Sequence, residues 1–246
     1  MNIFLILAFL FFCGSLAGCI LDLFFRRFIS TANPERKWIN PGFCTGPYLP
    51  LYGCGLCLLY LIASLEDLSL IKEPFWNKIA LFVMMAICMT MIEYVAGICC
   101  LKWNHVRLWD YTEEWGNIQG VICPKFSLIW AALGALYYFF IHPYILDALA
   151  WLSRNLAFSF VVGFFFGVFV IDVAHSANLV AKLKKFAVDN GVIVKYENLK
   201  AHIRSTQDKN KQKHIFLLPF RTERPISQYM KEHISSFEKH MKKFKK

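Results

Sequence analysis

The sequence predicts an all-α fold, a polytopic bundle of about five transmembrane helices with a basic, partly helical cytoplasmic tail. Of the 246 residues, 57% are hydrophobic and the mean hydropathy is +0.43, whereas a soluble domain typically contains about 45–50% apolar residues. The apolar residues also form runs of the length at which a helix crosses a bilayer, about 20 residues for a hydrocarbon layer about 30 Å thick. A bilayer can accommodate that much apolar surface, and a water-soluble core cannot.

Five apolar runs define a predicted transmembrane domain over residues 1–178. The predicted spans are residues 3–25, 46–65, 76–101, 126–141 and 155–178. The first span carries Gly14 and Gly18, and the fifth carries Gly163 and Gly167, each pair at the G-x-x-x-G spacing that lets two helix backbones approach closely. For the first pair we favour a packing face inside this chain over a dimer interface.

The charge distribution predicts the orientation of the chain in the membrane. Cytoplasmic loops retain Lys and Arg, and the loops after the first and third spans carry four and three of these residues, against one in each of the other two loops. The predicted tail, residues 179–246, holds 17 of the 27 basic residues and six acidic ones. A multi-pass protein of the cell membrane is therefore expected, with its N-terminus outside and its tail in the cytoplasm.

The tail is predicted to form amphipathic helices. Leu179, Leu183 and Phe186 recur at helical spacing, and a second apolar face follows Pro225. Each basic residue near an anionic leaflet adds about 1 kcal/mol of attraction, so contact with membrane lipids is the favoured role. Docking to a soluble partner is the alternative, and nucleic-acid binding is not predicted because no recognised nucleic-acid motif is present.

Ionisable residues within the predicted spans are candidate site residues, because a charge at the centre of a helix costs about 2.5–3.5 kcal/mol on insertion scales. With the predicted orientation all of them lie in the cytoplasmic half of the membrane, and we expect them to line one polar cavity open to the cytoplasm. They are Asp22, Glu93, Asp172 and His175. The last two are three residues apart and so share a helix face. The alternative is that Asp22 and His175 simply reach interfacial water.

The entry to the second span is rich in glycine and proline. Proline removes a backbone donor, and irregular backbone at membrane depth requires cover by protein or a water-filled cavity. The pattern predicts a broken helix whose backbone groups could meet a ligand, with a simple turn at the interface as the alternative. The residues of this broken-helix motif are Gly42, Gly46, Pro47, Pro50, Tyr52 and Gly53.

The loop after the third span is dense in aromatic and hydrogen-bonding side chains. Interfacial belts explain tryptophan and tyrosine without a specific function, but they do not explain the charged and amide groups in the same short loop. We expect either a binding role or a structural clamp. The residues of this loop motif are Arg107, Trp109, Asp110, Tyr111 and Asn117.

Neither a metal site nor a cofactor is predicted. The chain has nine cysteines, and Cys54 and Cys57 form a C-x-x-C motif inside an apolar run without a second pair or a nearby histidine. The motif G-x-x-x-x-G-K-[ST] does not occur in the sequence, so ATP hydrolysis by a P-loop mechanism is excluded for this chain.

The motifs taken together resemble a known family. Residues 40–53 read N-P-G-F-C-T-G-P-Y-L-P-L-Y-G, similar to the signature G-F-x-x-G-P-x-x-P-x-Y-G of bacterial integral membrane proteins classed as type IV ABC-transporter permeases, or CmpB-like. The segments Glu93-Tyr94-x-x-Gly97, Leu108-Trp109-Asp110-Tyr111 and Asn117-Ile118-x-Gly120 resemble its other marks. The resemblance covers roughly residues 1–180 and does not extend to the tail.

The resemblance implies a polytopic protein of a bacterial inner membrane that acts as the permease component of a transporter with unknown substrate. A separate ATPase subunit would then dock on the first loop, the third loop or the tail, and a homodimer or a second permease subunit would complete the pore. Two other hypotheses remain open. One is a membrane-embedded enzyme acting on a lipid or its headgroup, with Glu93 or Asp172 as general base and His175 as its acid or base partner. The other is a membrane scaffold protein.

Overall fold

The computed structural model describes residues 2–30, 33, 36, 38–42, 44–68, 71–190, 193–196 and 199. The predicted helix after Pro225 lies outside these residues. Helices make up almost all of the regular structure in the described part of the chain. They are α1 (Ile3–Phe28), α2 (Pro50–Ala63), α3 (Pro74–Asn104), α4 (Pro124–Leu136), α5 (His142–Arg154) and α6 (Ser159–Asn190).

Shorter elements connect or extend these helices. Two 3₁₀ segments cover Ser64–Leu68 and Leu156–Phe158, and a π-helical segment covers Tyr137–Ile141. Two short strands, β1 (Val106–Arg107) and β2 (Val194–Lys195), pair in parallel.

Four helical stretches in the described residues are long and apolar enough to cross a membrane. They are Ile3–Phe28, Pro74–Asn104, Pro124–Arg154 and Leu156–Asp189. These stretches contain most of the first, third, fourth and fifth predicted spans. The all-α membrane fold class is therefore confirmed.

The second predicted span corresponds to a shorter apolar helix, Pro50–Glu66. Regular helix begins at Pro50 and not at Gly46, because a proline at the first turn loses no helical hydrogen bond, and the residue before it, Leu49, is extended, as proline requires. The 14 residues of α2 span about 21 Å at 1.5 Å per residue. The five 3₁₀ residues that follow add about 10 Å.

The helix that contains the fourth predicted span continues well past residue 141, to Arg154. Pro143 follows that position, and a proline lacks the N–H of a regular helical turn. A π-helical segment lies just before the proline, and in it the His142 N–H donates to the Tyr137 carbonyl five residues earlier. The helix continues through the proline.

The chain divides into two compact units. Unit 1 comprises Met1–Gly18, Tyr48–Cys99 and Asp110–Ile171. Unit 2 comprises the described residues of Cys19–Pro47, of Cys100–Trp109 and from Asp172 onward. Helices α1, α3 and α6 each contribute residues to both units.

Unit 1 has two apolar clusters. The first joins α2, α3 and α4 with the π-helical segment, and its buried members are Leu59, Ile62, Ala63, Leu81, Met85, Met89, Trp130, Tyr137 and Tyr138. The second joins α1, α5 and α6, and its buried members are Phe9, Leu10, Leu149, Leu152 and Val162. Between them, the two clusters include residues of all six helices.

The glycine pairs have different surroundings. A Cβ atom at Gly14 would lie 2.8 Å from Leu56 Cβ and 3.0 Å from the Tyr52 carbonyl oxygen, so α1 packs on α2 at a distance that only glycine permits. A Cβ at Gly163 or Gly167 would meet nothing within 4 Å. The first pair therefore serves packing inside the chain.

Unit 2 is organised around the parallel strand pair. Val106 of β1 is in register with Val194 of β2, and the Val194 N–H donates to the His105 carbonyl at 3.1 Å. Val106, Val194 and Tyr196 are buried. The segment after α6 is thus attached by backbone hydrogen bonds to the loop that follows α3.

Candidate functional site

Glu93 is a buried carboxyl group on α3 in unit 1, with only 2% of the residue exposed. Its Oε1 accepts a hydrogen bond of 3.1 Å from the Tyr111 hydroxyl, and the Trp130 indole lies beside the same group. Its Oε2 is buried and has no hydrogen-bond partner among the residues that the structure describes. A buried polar atom without a partner costs free energy, so this oxygen is a candidate ligand-binding atom.

Aromatic rings hold the two neighbours of Glu93 in place. Tyr111 stacks on Phe126, with ring centroids 4.2 Å apart and planes 6° from parallel. The Trp130 ring packs against Tyr52 at 5.1 Å. Tyr111 from the loop before α4 and Trp130 from α4 therefore lie at the carboxyl group, and α2 contacts Trp130 through Tyr52.

Asn117 folds the loop so that Tyr111 reaches Glu93. Its Nδ2 donates to the Thr112 carbonyl at 3.1 Å and the Glu114 carbonyl at 2.9 Å, and its Oδ1 accepts from the Gly120 N–H at 3.0 Å. The Tyr111 N–H donates to the Gly120 carbonyl at 2.9 Å. In the structure Asn117 thus acts as a clamp within the loop.

The other residues of the loop motif lie in two different places. Asp110 in unit 1 accepts hydrogen bonds from the Thr112 N–H at 3.2 Å and the Thr112 hydroxyl at 2.8 Å, which closes a local turn of the Asx type. Trp109 and Arg107 belong to unit 2, where Arg107 is in register with Lys195 in the strand pair.

Asp172 on α6 is the second buried carboxyl group, in unit 2, and it binds the broken-helix motif. Its Oδ1 accepts from the Thr45 N–H at 3.1 Å, from the Thr45 hydroxyl, and from the Ser176 hydroxyl at 3.3 Å. Its Oδ2 accepts from the Gly46 N–H at 2.8 Å. Both oxygens therefore have donors, in contrast to those of Glu93.

Asn40 completes this arrangement, and it was not among the site residues that the sequence predicted. The residue is 1% exposed, and its Nδ2 lies 3.1 to 3.3 Å from the carbonyl oxygens of Cys44, Thr45 and Gly46. Its Oδ1 accepts from the Gly42 N–H at 2.9 Å. Asn40 and Asp172 together bind the backbone carbonyl and N–H groups of this turn.

Cys44 and Tyr196 are buried beside Asp172 in unit 2. Burial raises the pKa of the Cys44 thiol to about 12, and the Asp172 carboxylate raises it further while Ser176 lowers it. Burial also raises the pKa of the Tyr196 hydroxyl well above its ordinary value, with added repulsion from Cys44 and Asp172. Both groups are therefore neutral at physiological pH.

Asp22 and His175, the remaining predicted site residues, have other surroundings. Asp22 Oδ2 accepts a hydrogen bond of 3.0 Å from Arg26 Nε, one helical turn later. His175 is exposed although it lies one turn from Asp172. A single cavity lined by all four residues stays a prediction.

A further polar cluster in unit 1 was not predicted from the sequence. The Tyr138 hydroxyl donates to Glu66 Oε2 at 2.6 Å, and Lys78 Nζ lies 3.8 Å from Glu66 Oε1. The Tyr137 hydroxyl lies 2.9 Å from His142 Nδ1. The signal available in the sequence was the pair of tyrosines before a His-Pro dipeptide in an apolar run.

Comparison with known proteins identifies the family. A family model described as "Putative ABC-transporter type IV" matches residues 9–177, which is more than half of the chain. The chain belongs to this family. No curated protein and no solved structure matches it.

The part of the chain matched to the type IV ABC-transporter family contains both buried carboxyl groups and the motif residues that bind them. Tyr111 of one family-like motif contacts Glu93 of another, and Thr45 and Gly46 of a third contact Asp172. The tail from residue 178 onward lies outside the match.

Proposed function

We propose that this membrane protein is the permease subunit of a transporter and that Glu93 binds the coupling proton or a cationic substrate along the transport path. The observation that carries the proposal is the buried Glu93 Oε2, which has no hydrogen-bond partner among the described residues. Ionisable groups inside membrane bundles commonly belong to substrate or proton pathways.

The contrast with Asp172 supports a transport role for Glu93 over a structural one. A carboxyl group that only stabilises a fold gains most when both oxygens accept hydrogen bonds, and Asp172 has that arrangement. Glu93 has one oxygen bound by Tyr111 and a second oxygen without a hydrogen bond among the described residues, with the Trp130 indole beside the carboxyl group. The second oxygen can accept a proton or contact a cation without breaking an existing hydrogen bond.

The family membership supports a separate ATPase subunit as partner. This chain has no P-loop motif, so energy from ATP would have to enter through another protein. With the predicted orientation, N-terminus outside and tail in the cytoplasm, the loops after α1 and α3 face the ATPase. We propose the inner membrane of a bacterium as the location.

The geometry gives less support to Asp172 as the general base of the enzyme hypothesis. A general base must have an oxygen within reach of a substrate proton, but four donors already bind the Asp172 carboxylate. His175, its suggested partner, is exposed. No observation favours this second candidate over the permease.

The test is purification of the full-length protein from its native membrane in mild detergent, as wild type, as E93Q and as E113Q. Glu113 is exposed, so E113Q controls for replacing a carboxylate by an amide. We expect a nucleotide-binding subunit to co-purify in stoichiometric amount with all three proteins, and the ATPase rate of the reconstituted complex to fall several-fold only in E93Q.

Two results would contradict the proposal. If no nucleotide-binding subunit co-purifies, the ATP-driven permease is wrong, and a bound lipid in its place would direct attention to the enzyme hypothesis. If the subunit is present and E93Q has the same ATPase rate as E113Q, the assignment of Glu93 is wrong.

A further inference from the structure

We infer that Glu66, Tyr137, Tyr138 and His142 form a second proton-binding site in unit 1, connected to Glu93 by a path between α2, α3 and α4 that a methionine plug closes. This inference rests on the proposed transport function and extends it. It assigns a role to polar groups that the family resemblance and the sequence motifs leave without one.

The second site is built from groups that accept and donate protons. The Tyr138 hydroxyl donates to Glu66 Oε2 at 2.6 Å, and the Tyr137 hydroxyl lies 2.9 Å from His142 Nδ1. Two further titratable groups on α2 face Tyr137, namely Tyr60 and Cys57. Carboxyl and imidazole groups are components of proton relays in membrane proteins, and the two hydrogen-bonded pairs are joined here by the adjacent residues Tyr137 and Tyr138.

The outer part of this site lies at the surface of the bundle. The Glu66 side chain is 39% exposed, and the side chain of Lys78, its ion-pair partner, is 53% exposed. Tyr137, by contrast, is buried in the apolar cluster of α2, α3 and α4. The polar residues of this site therefore extend from the surface at Glu66 to the interior of the bundle at Tyr137.

The π-helical segment positions the inner part of the site. Because the His142 N–H donates to the Tyr137 carbonyl five residues back, the two residues lie one wide turn apart and their side chains meet. A π turn inside an α-helix frequently marks a functional site.

One helix face joins the two polar sites. Trp130, Gly134, Tyr137 and Tyr138 are buried on α4 and its π-helical extension, at the spacing of a single helix face. Trp130 lies beside Glu93. The 12 residues from Trp130 to His142 correspond to roughly 18 Å of helix.

The interval between the two sites is filled by apolar side chains. Leu59, Met85 and Met89 are buried there. A Cβ atom at Gly55 would lie 2.8 Å from Met89 Cε, and one at Gly134 would lie 3.8 Å from atoms of Leu59 and Met85. Methionine is flexible and repacks easily, so these residues form a plug that can part without unfolding the helices.

The test measures passive proton leak through the purified full-length protein in liposomes loaded with a pH-sensitive dye. The variants are M89A and M85A, which shorten the plug, and M91A as matched control. Met91 is exposed on the same helix. We expect a several-fold faster collapse of an imposed pH gradient in M89A or M85A than in wild type and M91A.

A second substitution tests the site itself. Y137F removes the hydroxyl group that contacts His142 and preserves the ring, so the leak of M89A should fall toward the wild-type rate in M89A/Y137F. Equal leak in M89A, M85A and M91A overturns the path, and a leak that is unchanged by Y137F overturns the second site. Each protein is first checked for a single symmetric peak in size-exclusion chromatography.

The leak assay needs no ATPase subunit and no known substrate. A failure of the proposed function, read from co-purification and from the E93Q complex, is therefore distinguishable from a failure of this inference.

Discussion

The Tyr111 hydroxyl donates a 3.1 Å hydrogen bond to Glu93 Oε1 across 18 residues of sequence. This contact attaches the loop before α4 to the buried face of α3. Under the proposed function, a proton or cation bound at Glu93 would act on that loop through this contact.

Loss of this contact should destabilise unit 1. Y111F leaves the Glu93 oxygen without its donor, and a hydrogen bond to a buried or charged acceptor contributes about 1–3 kcal/mol. Unfolding of Y111F, E93Q and the double variant in detergent measures the coupling, with Y144F as control because Tyr144 is exposed. Strictly additive effects would show that the two groups do not interact.

Replacing Asp172 should release the turn that contains Cys44. D172A removes the acceptor of the Thr45 and Gly46 N–H groups, which are partly buried, and a partly buried donor that loses its acceptor is costly. In a variant that keeps Cys44 as its single cysteine, maleimide labelling should become much faster with D172A than with D189A, since Asp189 is exposed. Equal labelling rates would show that Asp172 does not hold this turn in place.

The thiol of Cys44 should make stability depend on alkaline pH. Its pKa in the folded protein is about 12, against an ordinary value of 9.0, so above pH 9 the unfolded state loses its proton first. The contribution of this thiol to the free energy of unfolding is fully present below pH 9. It falls by up to about 1.4 kcal/mol per pH unit as the pH rises toward 12. Unfolding measured on either side of pH 9 should show a smaller decrease in C44A, and identical slopes in both proteins would refute this contribution.

The two glycine pairs should respond oppositely to alanine. G14A forces a Cβ atom against the α2 backbone and should lower stability by about 1–3 kcal/mol, as overpacking does. G163A meets open space and should be neutral or stabilising by up to about 1 kcal/mol, because alanine is the better helix former. Denaturation in mixed micelles compares the two, and equal losses would mean that α1 does not pack on α2 in this way.

The sequence predicts the helices well because each long apolar run is a local property. It does not reveal contacts between residues that are distant along the chain. The partners of Asp172, Thr45 and Gly46, come from more than 120 residues earlier, and no periodicity reports such a contact. Trp130 beside Glu93 is a similar case, since an apolar span alone does not reveal which face meets which helix.

One helix boundary also differs from the prediction. The fourth span is predicted to end near residue 141, but a π turn precedes Pro143, which lacks a backbone donor, and the helix continues past it. Asn40, in turn, could have been recognised, because an asparagine before a Gly-rich turn commonly bonds the backbone of that turn.

The π-helical segment Tyr137–Ile141 makes this helix sensitive to a kind of mutation that substitutions do not mimic. A deletion of one residue there would restore an ordinary α-helical ladder, but it would rotate every later residue by about 100° about the helix axis. Leu149 and Leu152 would then turn away from Phe9 and Leu10. Homologous sequences should therefore keep the number of residues in this segment constant.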